Sequence, residues 1–166
     1  MILKQNKFLY IIAVHLIAIF LITLNISAIK IVGFNKILPL FDLMAIFYFT
    51  IFRNVFSLAF ILLLGIWGDA LEGNILGINA LCYILLIKLF LILNNRMIIA
   101  ESFKQIWQQF AAFSLLFLLL KLLVMIITTH QSYDLLSLLI KWILSVIFYV
   151  VMHRFFDRLS RNIFRD

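Results

Sequence analysis

The chain has 166 residues, 66% of them hydrophobic and 13% charged. Soluble domains run at about 45–50% apolar and about 25% charged. A soluble globular fold is therefore excluded, as is a disordered chain, which needs low hydrophobicity. The expectation is one all-α integral membrane domain over residues 1–166. The net charge of +7 does not point to nucleic acid, because eleven of the fourteen Lys and Arg residues flank apolar runs and no nucleic-acid motif is present. Cys82 has no partner for an intramolecular disulfide and reads as a small core residue.

A transmembrane helix needs about 20 predominantly apolar residues. The first run, 8–26, follows Lys4 and Lys7; it is too long for the apolar part of a signal peptide and lacks small-x-small spacing at its end, so it is expected to stay in the mature protein. A polar connection with Lys30, Gly33, Asn35 and Lys36 leads to a second run, 37–52. Only Arg53-Asn54 separates it from the third, 55–70, which predicts a tight helical hairpin. A stretch rich in glycine and acid precedes the fourth run, 76–93; the longest polar segment, 94–104, precedes the fifth, 105–129; and residues 130–134 part that from the sixth, 135–152. The tail, 153–166, reads as polar and basic. Nine Lys and Arg residues fall on one side of these six spans (Lys4, Lys7, Arg53, Arg96, Lys104, Arg154, Arg158, Arg161, Arg165) and two, Lys30 and Lys36, on the other. The excess marks the cytoplasmic side, so both termini are expected there. Tyr10 and Trp107 then fall at the inner interface, Trp67 and Tyr133 at the outer one.

Four of the five glycines lie within residues 65–77. Glycines this dense at a helix–turn–helix junction allow close backbone approach and positive φ. Two readings fit: a tight outer-side turn, or a recognition surface whose polar groups are Asp69, Glu72, Asn74 and Asn79. Asp69 and Asp134 both map to the outer side, where paired carboxylates could activate water, but Gly65-x-x-Gly68-Asp69 departs from the Gly-x-Gly-Asp that an intramembrane aspartyl protease carries. No Gly-x-Ser-x-Gly occurs, and His15, His130 and His153 sit on separate elements without metal-ligand spacing; neither catalysis, metal nor cofactor is expected. His15 reads as a helix-packing hydrogen bond. Lys88 lies near the end of its span and can snorkel. Lys121 and Lys141 fall roughly 12 Å and 9 Å below the outer ends of helices five and six, where an unpaired lysine is expensive. Snorkelling is one explanation; the other is an outer-leaflet polar cluster of Asp42, Lys121 and Lys141, joined by Asp69 or Glu72.

Pro39, the aromatic stretch Phe47-Tyr48-Phe49, and the string Gly65, Asp69, Gly73, Gly77 and Ala80 follow the pattern Gly-x-x-x-Asp-x-x-x-Gly-x-x-x-Gly-x-x-Ala. In these positions, in length and in helix number the chain resembles the MreD family of rod shape-determining proteins. The resemblance implies a non-enzymatic inner-membrane component of the elongation machinery for peptidoglycan. Its implied partner is an MreC-like protein with one membrane helix and, through it, the MreB filament, RodA and a peptidoglycan transpeptidase, with membrane lipid around it and no nucleic acid. It also implies a six-helix fold similar to the S components of energy-coupling-factor vitamin transporters, which supplies the alternative function, although helix one offers only Ala13 and Ala18, on different faces, in place of the Ala-x-x-x-Ala docking pattern. Pro39, Gly65, Gly68, Asp69, Gly73, Gly77 and Asn79 are the expected motif or partner-binding residues. Bulky side chains at Gly68 or Gly77 are expected to break the partner complex before they unfold the protein, while Asp69 has an equally ready role in capping the next turn.

Overall fold

A computed structural model of the chain describes residues 2–27, 38–73, 75–93, 102–129 and 134–163. All regular structure among them is helical: α1 (Ile2–Ser27), α2 (Phe41–Ile46) continuing into a π-helical segment (Phe47–Phe52), α3 (Leu58–Glu72), α4 (Ile78–Leu93), α5 (Phe103–Thr129) and α6 (Leu135–Ile163). Within α5 and α6 the stretches Phe103–Thr128 and Leu135–Arg161 are long and apolar enough to cross a membrane. Lys30, Lys36, Asn74, Arg96, His130, Tyr133 and Arg165 lie outside the described residues.

A helix that is apolar all round must be surrounded by protein or lipid, and α2 takes the first course. Every residue from Leu43 to Thr50 is buried. Phe47 sits at the centre of an aromatic core, edge-on to Phe90, Phe110 and Tyr149, with Phe110 and Tyr149 stacked at 3.9 Å. Around this axis α3 packs on α4, α4 on α5 and α5 on α6, while α1 lies against α2, α3 and α6. The α5–α6 pair is pinned by reciprocal indoles: Trp107 Nε1 donates to Val146 O at 3.0 Å and Trp142 Nε1 to Ala111 O at 3.1 Å.

The helix boundaries differ from the hydropathy reading wherever local backbone chemistry decides. Pro39 stands before α2 rather than within it. Proline disfavours helical geometry in the residue before it, and the Leu40 N–H at the helix entrance is taken by Ser145 Oγ of α6 at 2.9 Å. α3 begins at Leu58 because Ser57 is its N-cap, accepting from Phe60 N at 3.2 Å. The corner before it turns on Asn54 (φ 50°), a residue type that tolerates the left-handed region, and Phe49 O receives both Val55 N and Phe56 N. The tail read as merely polar continues α6 to Ile163.

Candidate functional site

The glycine–acid string builds one corner between α3 and α4, and every motif position has a physical task there. A spacing of four puts Gly65 and Asp69 on the same face of α3, and both are buried. A Cβ on Gly65 would lie 2.3 Å from Ala80 Cα, so the two helices touch backbone to backbone. Asp69, fully buried, reaches across the turn: Oδ2 accepts from Gly77 N at 2.9 Å and from Asn79 N at 3.0 Å, capping the start of α4. A carboxylate there also meets the positive end of the α4 dipole. Gly73 ends α3 in the left-handed conformation (φ 72°), with its N–H on Asp69 O, and Gly77 enters α4 at φ 99°. Gly68 plays a looser part, since its Cβ would meet only Asn79 Nδ2, at 3.7 Å, and Ile22, at 4.0 Å.

Of the expected polar cluster, Lys121 and Glu72 meet beside this corner. Lys121 Nζ of α5 bonds Glu72 Oε2 at 3.2 Å, and Asn79 Nδ2 reaches the same oxygen at 3.4 Å. Asp42 of α2 accepts a hydrogen bond from Tyr83 Oη of α4, whose buried ring stacks on Phe117 of α5. Lys141 of α6 lies in the second turn of that helix and makes no ion pair among the described residues. Glu72 and Lys121 are thus brought together, and Asp42 is joined to α4 through Tyr83. Nothing in the sequence marks Tyr83 as the partner of Asp42, because a tyrosine in an apolar run carries no signal that separates it from core. Asp134, the other acid considered for catalysis, instead caps α6, accepting from Leu136 N at 3.1 Å and Ser137 Oγ at 2.7 Å.

A second cluster, absent from the sequence reading, lies at the opposite end of α3. Tyr48 Oη donates to Asp157 Oδ1 at 2.7 Å, Arg53 Nε donates to Tyr48 Oη at 3.2 Å, and Asp157 also pairs with Arg53 and Arg161 at 3.2 and 2.9 Å. Burial works against the Arg53 charge, but the Tyr48 hydroxyl and the Asp157 carboxylate outweigh it and hold the guanidinium's pKa above its ordinary value. His15 of α1 belongs to neither cluster: Nδ1 meets Ile11 O at 2.6 Å, and the ring packs on Phe56 and Phe60.

Over the outer surface of the corner, Leu62, Ile66, Gly77, Ala80, Leu81, Ile84 and Leu85 line an open apolar groove of about 410 Å³ between α3 and α4. It exists because the Gly65–Ala80 contact draws the helices together beneath it. The carboxylates at this corner serve as caps and ion pairs, and the groove offers packing surface in place of reactive groups.

The class so defined is an all-α protein whose ion pairs, among the described residues, lie at two ends of an apolar bundle. A family model described as rod shape-determining protein MreD matches residues 5–159, and the chain belongs to that family. This is a shape-determining structural family and not a known enzyme family. Comparison with curated proteins and with solved structures gives no match.

Proposed function

We propose that the chain crosses the bacterial inner membrane six times, with both termini cytoplasmic, and serves rod shape determination without catalysing a reaction. In this reading it docks a partner that has a single membrane helix. Family membership supports the role in cell shape. The exposed side chains support the membrane: only 28% and 17% of the apolar windows of α5 and α6 are buried inside the protein, and an apolar surface that wide needs lipid or a partner. The shared end of Tyr10, Arg53, Phe103 and Ser160, tied by Tyr10–Ser160, Arg53–Asp157 and Phe103–His153 contacts, supports one cytoplasmic face for the basic segments.

The observation that carries the docking role is the groove over the Gly65–Ala80 seam. Between helices in lipid there is no hydrophobic drive, and association rests on close packing over small residues. Gly77 and Ala80 provide that floor, and Leu62, Ile66, Leu81 and Leu85 the walls. The occupant is an MreC-like helix, which links the chain to the MreB filament, RodA and a peptidoglycan transpeptidase. The test is co-purification of the tagged full-length protein in mild detergent with mass spectrometry of stoichiometric partners, repeated with Ile66→Trp and Leu81→Trp, which fill the groove without touching the Gly65–Ala80 contact. A bitopic partner lost from both variants, at unchanged expression and melting temperature, is the expected result. A partner retained by both variants would move the interface elsewhere, and recovery of an ATPase pair with a second polytopic subunit would replace this reading with the transporter one.

A further inference from the structure

α6 is 29 residues long, about 43 Å at roughly 1.5 Å per residue, against a hydrocarbon core of about 30 Å. Its last turns therefore stand at headgroup level if the chain is membrane-embedded as proposed above, and the inference that follows rests on that reading. One face of this helix changes character along its length. Ile143, Ile147 and Val151, spaced by four, are 50%, 60% and 64% exposed. The same face continues after spacings of three and four as Arg154 and Arg158, both exposed. Phe155, 49% exposed, lies between them.

These two arginines differ from the other arginines described at this end. Arg53 and Arg161 are engaged by Asp157, the acid at this end among the described residues, whereas Arg154 and Arg158 pair with no carboxylate among the described residues. A guanidinium matches phosphate oxygens in a planar fork, and the apolar stripe leading up to it runs about 12 Å from Ile143 to Val151 at roughly 1.5 Å per residue, most of the roughly 15 Å depth of one leaflet's hydrocarbon. An acidic peptide would match the arginines and leave the stripe uncovered.

We propose that this face of α6 is a binding site for an anionic phospholipid of the cytoplasmic leaflet, with the phosphodiester on Arg154 and Arg158 and an acyl chain along Val151, Ile147 and Ile143. The site tethers the lipid beside the Tyr48–Arg53–Asp157 cluster without drawing on it.

The test is native mass spectrometry of the purified full-length protein in neutral detergent, titrated with phosphatidylglycerol, phosphatidylcholine and chain-free glycerophosphoglycerol. Phosphatidylglycerol should bind in preference to phosphatidylcholine and weaken with salt. Its affinity should fall about fivefold for each arginine removed in Arg154→Gln and Arg158→Gln and fall less in the Arg154→Lys, Arg158→Lys pair, which keeps the charge and loses the fork. The Gln variants leave Asp157 its partners, so melting in neutral detergent should not change. Equal binding of the two lipids, or a preference that survives both Gln substitutions, overturns the proposal. Glycerophosphoglycerol binding as tightly as the lipid would assign the site to a free phosphate ester, and tighter binding of a polyglutamate peptide would assign it to a protein; either result overturns it too. A chain that stays monodisperse without any amphiphile would defeat the membrane reading itself, whatever the lipid preference.

Discussion

Gly65 and Gly68 look interchangeable in the sequence, yet they face different obstacles. At Gly65 the added Cβ meets the Ala80 backbone at 2.3 Å, and backbone cannot step aside. At Gly68 it meets the end of the Asn79 amide at 3.7 Å, an ordinary contact. Gly65→Ala must push α3 from α4 and is expected to cost about 1–3 kcal/mol, the usual range for overpacking. Gly68→Ala removes a helix-interior glycine and is expected to be neutral or to stabilise by up to about 1 kcal/mol. Thermal unfolding of both variants in the same detergent checks this, and equal losses would refute it. Backbone conformation adds a second consequence at Gly77. At φ 99° any side chain strains the turn by about 1–2 kcal/mol, so Gly77→Leu strains the corner as well as filling the groove.

Among the elements, α6 is the longest, and its C-terminal extension is held by one carboxylate. Asp157 is partly buried and serves the wholly buried Tyr48 hydroxyl as well as Arg53, while its partner Arg161 is 75% exposed. Removing the carboxylate strips a buried donor of its acceptor, so Asp157→Ala should destabilise by about 1–3 kcal/mol. Arg161→Gln breaks only an exposed i,i+4 pair and should cost about 0.5 kcal/mol or less. Denaturant or thermal melts of the two variants separate these values, and comparable losses would mean that the ion pair, rather than the tyrosine, holds α6. What the sequence made legible here divides along physical lines. Gly65, Asp69, Gly73 and Gly77 could be read because a turn and a close approach constrain residue type at fixed spacing, and Lys121 because a lysine in an apolar run is expensive. Tyr48, Tyr83 and the π-helical turn left no such mark, since aromatic residues in a buried helix look alike whether or not their hydroxyls bond. The end of α6 was missed for the opposite reason: hydropathy falls after Met152, while arginine, leucine and phenylalanine go on supporting a helix.

For the whole molecule, the separation of two charged ends by an apolar bundle is the property from which topology follows. α5 carries both ends on a single element: Lys104 lies in its first turn and Thr128 near its last, both exposed. They are 24 residues apart, or about 36 Å along a helix, which exceeds a hydrocarbon core of about 30 Å. In the proposed topology the lysine at the basic end is on the cytoplasmic side, and the end that holds Glu72 and Lys121 faces outward. The native thiol does not interfere, because Cys82 is fully buried. Lys104→Cys and Thr128→Cys, treated in intact spheroplasts with a membrane-impermeant maleimide, should therefore behave as opposites. Thr128→Cys labels at once, while Lys104→Cys labels only after lysis, and the parent protein stays unlabelled in both conditions. Labelling of both positions in intact cells would mean that α5 does not cross the membrane, and the reverse pattern would turn the groove's corner and the α6 arginines to the wrong sides for the roles proposed.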